Sequence, residues 1–400
     1  MPKRRPLRSF LTVGALLVVA WSCREKTSSP PGGPAPDAGS FDKTQLLAAF
    51  GQCAEGNARE LHARTGELAA AVGRLETEGD AARPAAQDAW KRAMDVWERA
   101  EVFQFGPTAP TGAPGSQDLR DPIYGWPLVG RCLIDQTLVA KLYESSDFAK
   151  TSLVSTRTLA TLEYLLFYDG DANGCPAENA INAQGTWAAL GSAERAKRRA
   201  AYAKAVVADV TARTSTLADA WDPAKGNFGR ELTNPGKVYP TQQAAFNAVS
   251  DAMFYLDDQV KNTKVGIPAG LVAGCAAAPC VDMVESPWAK RSKDHIRANI
   301  VGYEQLLHGC GAGGAGLGFD DLLTAVGGAA VVTKLDAATR DVKVALDELK
   351  EPSLEDDLRK NPAGVKKLFD ALRASSTLMK SDFATLLAFD LPKRLEGDND

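Results

Sequence analysis

The sequence predicts an all-α protein. Ala- and Leu-rich segments with apolar residues at 3.6-residue spacing run through most of it. Alternating β-branched stretches of the kind that make strands are nearly absent. Scale is the third observation: roughly 360 residues follow a low-complexity N-terminal stretch, enough for two domains of ordinary size. The economical architecture is two helical-bundle domains in tandem, spanning 41–235 and 236–400. Both halves repeat the order long helix, irregular loop, helix, which fits an old duplication, although residue identity between them is too low to establish a repeat.

The first 22 residues read as an export signal. Lys3, Arg4, Arg5 and Arg8 form a basic head, and Phe10 to Ala20 form an apolar core too short to span a bilayer. Ala20-Trp21-Ser22-Cys23 resembles a lipoprotein cleavage site with Cys23 as the lipidated residue, so the expected anchor is a lipid in the membrane. Trp21 is bulkier than the usual small residue there, which leaves ordinary secretory cleavage as the alternative. Residues 23–40 are rich in Ser, Pro and Gly and read as a flexible tether. Either way the protein is expected in the periplasm or at the cell surface.

Removing the leader takes away four basic residues and no acidic one, moving the formal charge from −4 to −8. A nucleic-acid partner, which needs a basic stripe, is thereby excluded. Six of the 7 cysteines remain beyond Cys23, namely Cys53, Cys132, Cys175, Cys275, Cys280 and Cys310. An even number in an oxidising compartment predicts three disulfides, with Cys275 and Cys280 near enough for a local bridge and the other pairings open.

Helical patterns run over 41–78, 81–105, 131–148, 152–168 and 191–222, then over 241–264, 290–308, 319–332, 336–349 and 362–388. The second stops at Gly106-Pro107, a helix terminator followed by a breaker. The proline-rich loop over 106–130 is long for a bundle, and its Tyr124-Gly125-Trp126-Pro127 is expected to pack back onto the helices.

Within 158–167, Glu163 is the one carboxylate in an otherwise apolar helical run. Its neighbours one turn away are Leu159, Ala160, Leu166 and Phe167, so the acid is expected to point inward. A buried carboxylate is costly unless it is paired, protonated or bound to something. Glu101 ends a second inward stripe, Trp90-Met94-Trp97-Glu101. Inward carboxylates on separate helices are how bundle-core metal sites are built.

These segments resemble the imelysin family. Thr158 to Phe167 is similar to its Gly-x-His-x-x-Glu motif running into Glu-Tyr-Leu-Leu-Phe, with Thr158 at the glycine and Ala160 at the histidine position. Ala89-Trp90, the run from Glu101 to Pro107, Trp126-Pro127-Leu128 with Ile134-Asp135, and Glu285-Ser286-Pro287 leading to Ser292 and Ala298-Asn299-Ile300 resemble further family segments in the same order. The resemblance implies an exported two-domain helical protein linked to iron uptake and carrying a metallopeptidase label. Its motif His and Glu are the family's proposed metal-site residues.

Ala160 cannot ligate a metal, and a hydrolytic zinc needs three protein ligands plus an open water position. The expectation is therefore a ligand-binding protein without hydrolysis. Its cleft is expected to be lined by Glu101, Trp126, Asp135 and Glu163, with Glu285 and Ser286 from the second domain. The metal version places iron or calcium on Glu101, Asp135 and Glu163; an altered metallopeptidase and a purely structural or partner-binding lipoprotein are the alternatives. Among weaker signals, Asp169 to Gly174 opens like a calcium loop but has Ala180 where the closing acid belongs. Gly311 to Gly316 spells a dinucleotide fingerprint after a helix instead of a strand. The three histidines, His62, His295 and His308, begin no metal motif, and ordinary polar roles are expected for His295 and His308.

Overall fold

The computed structural model describes residues 41–392. The signal peptide, Cys23 and the tether lie outside the described residues. Among the described residues every regular element is helical. The principal ones are α1 (Lys43–Gly73), α2 (Arg83–Ala100), α3 (Arg131–Ala140), α4 (Leu159–Phe167) and α5 (Gly191–Trp221). They are followed by α6 (Gln242–Met253), α7 (Ser292–His308), α8 (Ala329–Asp347) and α9 (Pro362–Leu378). A wider π-helical segment, Leu256–Gly266, follows α6 closely.

Local chemistry sets the ends of these helices. Asp42 caps α1 by accepting from the amides of Thr44 and Gln45, and Thr241 caps α6 through the amide of Ala244. At α4, the Thr158 amide donates to the Thr161 hydroxyl at 3.2 Å, one half of a capping box, and the helix begins seven residues later than the sequence pattern from 152 implied. The segment at 131–148 also ends early, at Ala140, because Lys141 adopts a left-handed backbone. The expected break between 332 and 336 is absent: α8 runs unbroken from Ala329 to Asp347.

α1, α2, α4 and α5 pack together, while α7, α8, α9 and the π-helical segment form a second set; α2 lies against α7 and joins them. That junction needs Gly302, because an added Cβ would collide with the Arg99 carbonyl oxygen and the Val102 side chain. Residues from both sides of position 235 contribute to one contiguous apolar core. The six cysteines form three disulfides: Cys53–Cys310, Cys132–Cys175 and Cys275–Cys280. The proline-rich loop does return to the helices, burying Tyr124 and Trp126. No helix of the described residues is long and apolar enough to cross a membrane.

Candidate functional site

Where α2 meets α7, the last turn of α2 buries Glu98 and its C-cap residue Glu101 completely. Three residues apart, they share a helix face. A helix C-terminus carries partial negative charge, so two buried carboxylates there require cations. Lys264 of the π-helical segment supplies one. Its ammonium lies 2.5 Å from Glu98 Oε2, 3.1 Å from Glu285 Oε1 and 3.4 Å from Glu101 Oε1, and donates to Asn299 Oδ1 at 2.9 Å. Arg120 approaches Glu101 Oε2 at 3.7 Å, and the Tyr255 hydroxyl donates to Glu101 Oε1. Asn299 Nδ2 donates to Glu98 Oε2 at 3.0 Å, and the Tyr124 hydroxyl to Glu285 Oε1 at 2.9 Å.

Each of the two outer carboxylates thus commits one oxygen and leaves the other free. Glu98 Oε1 and Glu285 Oε2 have no hydrogen-bond partner, and both face Nδ1 of His295 at 3.2 and 3.3 Å. These are ion-pair separations without hydrogen-bond alignment, since His295 Nδ1 is unpartnered as well. Among the described residues, Glu98, Glu285 and His295 are the one group with three metal-ligating atoms within 4.8 Å of one another. Ligand atoms about 2.1 Å from a shared ion stand roughly 3.0 to 3.4 Å apart, which matches the two spacings. The second ring nitrogen, Nε2, is also unpartnered, unlike that of most ligating histidines.

Electrostatics pull the members of this cluster apart. Burial and the neighbouring charge of Glu285 push the Glu98 carboxyl upward, whereas for Glu285 burial is outweighed by Lys264 and His295, which hold it well down. Burial alone would lower His295, but Glu98 and Glu285 reverse this and raise it.

Glu163 faces an adjacent cavity. Its Oε1 accepts three hydrogen bonds, from the Ser286 hydroxyl at 3.0 Å and from the amides of Trp288 and Ala289 at 3.0 and 2.8 Å, and none of them uses Oε2. Burial raises its carboxyl to about 7 against the pull of those bonds and of His295. The cavity, about 230 Å³, is lined by Glu163, Ala160, Trp126, Trp288 and Val284 among others. The Trp126 ring also lies 6.0 Å from the Lys264 ammonium, so it borders both cavity and charge cluster. Ser286 has a left-handed backbone (φ 52°), an unfavourable conformation outside glycine that the Glu163 bonds hold in place beside Glu285.

Of the residues expected to form one cleft, Glu163 and Trp126 line this cavity, Ser286 touches it only through its bond to Glu163, and Glu101 and Glu285 meet in the charge cluster. Asp135 joins neither. Its oxygens accept from the Tyr164 hydroxyl at 2.9 Å and the Gly174 amide at 2.7 Å, with Arg131 at 4.0 Å. The expected metal set of Glu101, Asp135 and Glu163 therefore does not assemble: Glu101 is bound by Lys264 and Tyr255, and Glu163 by the Ser286 hydroxyl and the amides of Trp288 and Ala289. Glu98, Lys264, His295 and Asn299 are not among the site residues that the sequence singles out, and the role it predicts for His295 is an ordinary polar one. A usable signal existed for two of them, because His295 and Asn299 lie on the Ser292-His295-Ile296-Asn299-Ile300-Tyr303 stripe that α7 buries.

An all-helical protein with a buried carboxylate–histidine cluster between two helical sets is the class that fold and site define. The sequence model of the imelysin family matches residues 48–379, and the chain belongs to that family. No curated protein matches it. Among solved structures it is similar to a protein from Parabacteroides distasonis ATCC 8503 named as an iron-regulated protein A precursor. That likeness has TM-score 0.66 and 16% identity, and covers 89% of this chain and 98% of that one. An imelysin-like protein from Psychrobacter arcticum 273-4 is similar at TM-score 0.64 and 16% identity, over 90% of this chain and 100% of that one. At such identity the likeness concerns the fold.

Proposed function

We propose that this imelysin-family protein, exported and lipid-anchored through Cys23, binds a divalent metal ion and does not hydrolyse substrate. Glu98, Glu285 and His295 hold the ion. One observation carries the reading: three buried ligand atoms, Glu98 Oε1, Glu285 Oε2 and His295 Nδ1, converge without hydrogen-bond partners. Unpartnered buried polar atoms are expensive, and an ion shared among them removes that cost. Lys264, Asn299 and Tyr124 engage the opposite oxygens and orient the ligands, as outer-shell groups do. Two carboxylates and an imidazole suit first-row divalent ions, and the name of the Parabacteroides relative makes iron(II) the first to try.

Hydrolysis is disfavoured on two grounds. Ala160 stands where the family motif places histidine. Glu98, Glu285, His295 and Lys264 are all essentially inaccessible, whereas a metallopeptidase needs a water and a peptide at its metal. Anaerobic titration calorimetry with iron(II), zinc and calcium is the test. One site is expected for iron(II) or zinc, weakened at least tenfold in Glu285→Gln and in His295→Gln. Absence of saturable binding, or equal binding by both variants, contradicts the reading. Chelator-sensitive cleavage of unfolded casein, lost in His295→Gln, would favour the peptidase instead.

A further inference from the structure

A second cavity, about 530 Å³, lies between the N-terminal half of α5, the last turn of α4 and the turn that follows α1, and no residue of the charge cluster lines it. Its wall on α5 is Ala193, Ala196, Ala200 and Ala201, small side chains at helical spacing that leave room where larger ones would fill it. Leu75, Leu165 and Leu166 complete an apolar floor. The volume falls within the roughly 300–1,000 Å³ of small-molecule sites.

The polar groups of this cavity are unevenly paired. Asp80 is bound by Arg83 at 2.8 Å, and Glu76 by Lys204 at 2.5 Å. Arg199 is different. It is 6% exposed, and its two terminal nitrogens donate to the carbonyl oxygens of Tyr168 and Gly170, both at 3.2 Å. Those acceptors are neutral, Nε has no hydrogen-bond partner, and the further contact of the guanidinium is the Tyr168 ring, 5.2 Å away. A guanidinium buried without a bonded carboxylate is a costly arrangement that an anion relieves, with a planar carboxylate matching its geometry best. Lys197, exposed on the same wall, adds positive charge at the mouth.

We propose that this cavity binds a medium-chain monocarboxylate, its head group against Arg199 and Lys197 and its hydrocarbon tail along the alanine wall and Leu75, Leu165 and Leu166. The site is independent of the metal reading, since it shares no residue with Glu98, Glu285 or His295. A free fatty acid and the acyl chain of a lipid share the tail chemistry, but only the former presents the carboxylate.

The test is titration calorimetry of the purified protein with decanoate, decylamine and methyl decanoate. Saturable binding of decanoate, at least tenfold tighter than of either control, is the expected result. Arg199→Gln should lower decanoate affinity at least tenfold. Because that variant also loses bonds to Tyr168 and Gly170, a second one, Ala200→Phe, fills the cavity from an unpaired position. It should abolish decanoate binding while leaving the thermal melt and the metal titration unchanged. No saturation, equal affinity for decylamine, or undiminished binding in a folded Ala200→Phe protein overturns the proposal. Equal binding of methyl decanoate would assign the site to acyl chains in general and overturn the role of Arg199.

Discussion

Nδ1 of His295 lies 3.2 Å from Oε1 of Glu98, and both atoms are buried without a hydrogen-bond partner. The opposite oxygen of Glu98 is fully engaged by Lys264 and Asn299. The site is therefore rigid on its outer side and unsatisfied toward its centre. Rigid outer contacts of this kind hold ligand atoms in place before an ion arrives.

Lys264 is the residue on which this arrangement depends. Replacing one partner of a buried ion pair leaves the other charges uncompensated, typically costing about 3–5 kcal/mol. Lys264→Met should show a loss of that order in urea unfolding. Glu98→Gln, which removes a carboxyl already pushed toward its neutral form, should cost less than half as much.

Glu163 makes stability depend on pH. Burial pushes its folded carboxyl up to about 7 from the ordinary 4.5, so the folded state keeps a proton that the unfolded chain releases between those values. Its contribution is fully present below about 4.5 and is lost as pH rises through 7. Glu163→Gln lacks this loss. The stability of the variant relative to the parent should rise between pH 5 and 8, by up to about 3 kcal/mol, in unfolding curves across that range.

His308 carries a second, smaller dependence. Nδ1 is 2.8 Å from Asp320 and Nε2 is 3.0 Å from Asp336, and the hydrogen bond to Asp320 leads the causes that raise it. The stabilisation is present below about 6.5 and is lost as pH rises through the folded value. Melting temperatures of His308→Gln and the parent should differ at pH 5.5 and converge by pH 9.

The Cys53–Cys310 disulfide closes a sequence separation of 257 residues and ties α1 to the end of α7. Loop closure on that scale restricts the unfolded chain strongly, and removing native bridges typically costs about 2–5 kcal/mol. The double variant Cys53→Ala, Cys310→Ala should lose stability in that range. Removing Cys275 and Cys280, 5 residues apart, should cost clearly less.

The sequence was most legible where periodicity was long and uninterrupted. The pattern over 191–222 corresponds to α5, and the inward direction of Glu163 follows from its four apolar neighbours. It was least legible where charged residues turn inward. Glu98 stands beside the partly exposed Arg99, and Lys264 lies on a π-helical stretch whose wider turn alters the face that a 3.6-residue pattern assigns. Asp135 is grouped with Glu163 because the Ile134-Asp135 segment resembles a family motif and an oxygen-rich site needs a further carboxylate. Only the fold reveals that the next residue, Tyr164, takes Asp135 elsewhere.

Cobalt(II) titration of the purified protein, followed by its visible d–d spectrum, tests the metal site most directly. One equivalent should bind, with a spectrum of mixed nitrogen and oxygen ligation that His295→Gln changes or abolishes. Failure to take up cobalt, or the same spectrum in the parent and in a folded His295→Gln protein, would contradict the assignment of Glu98, Glu285 and His295.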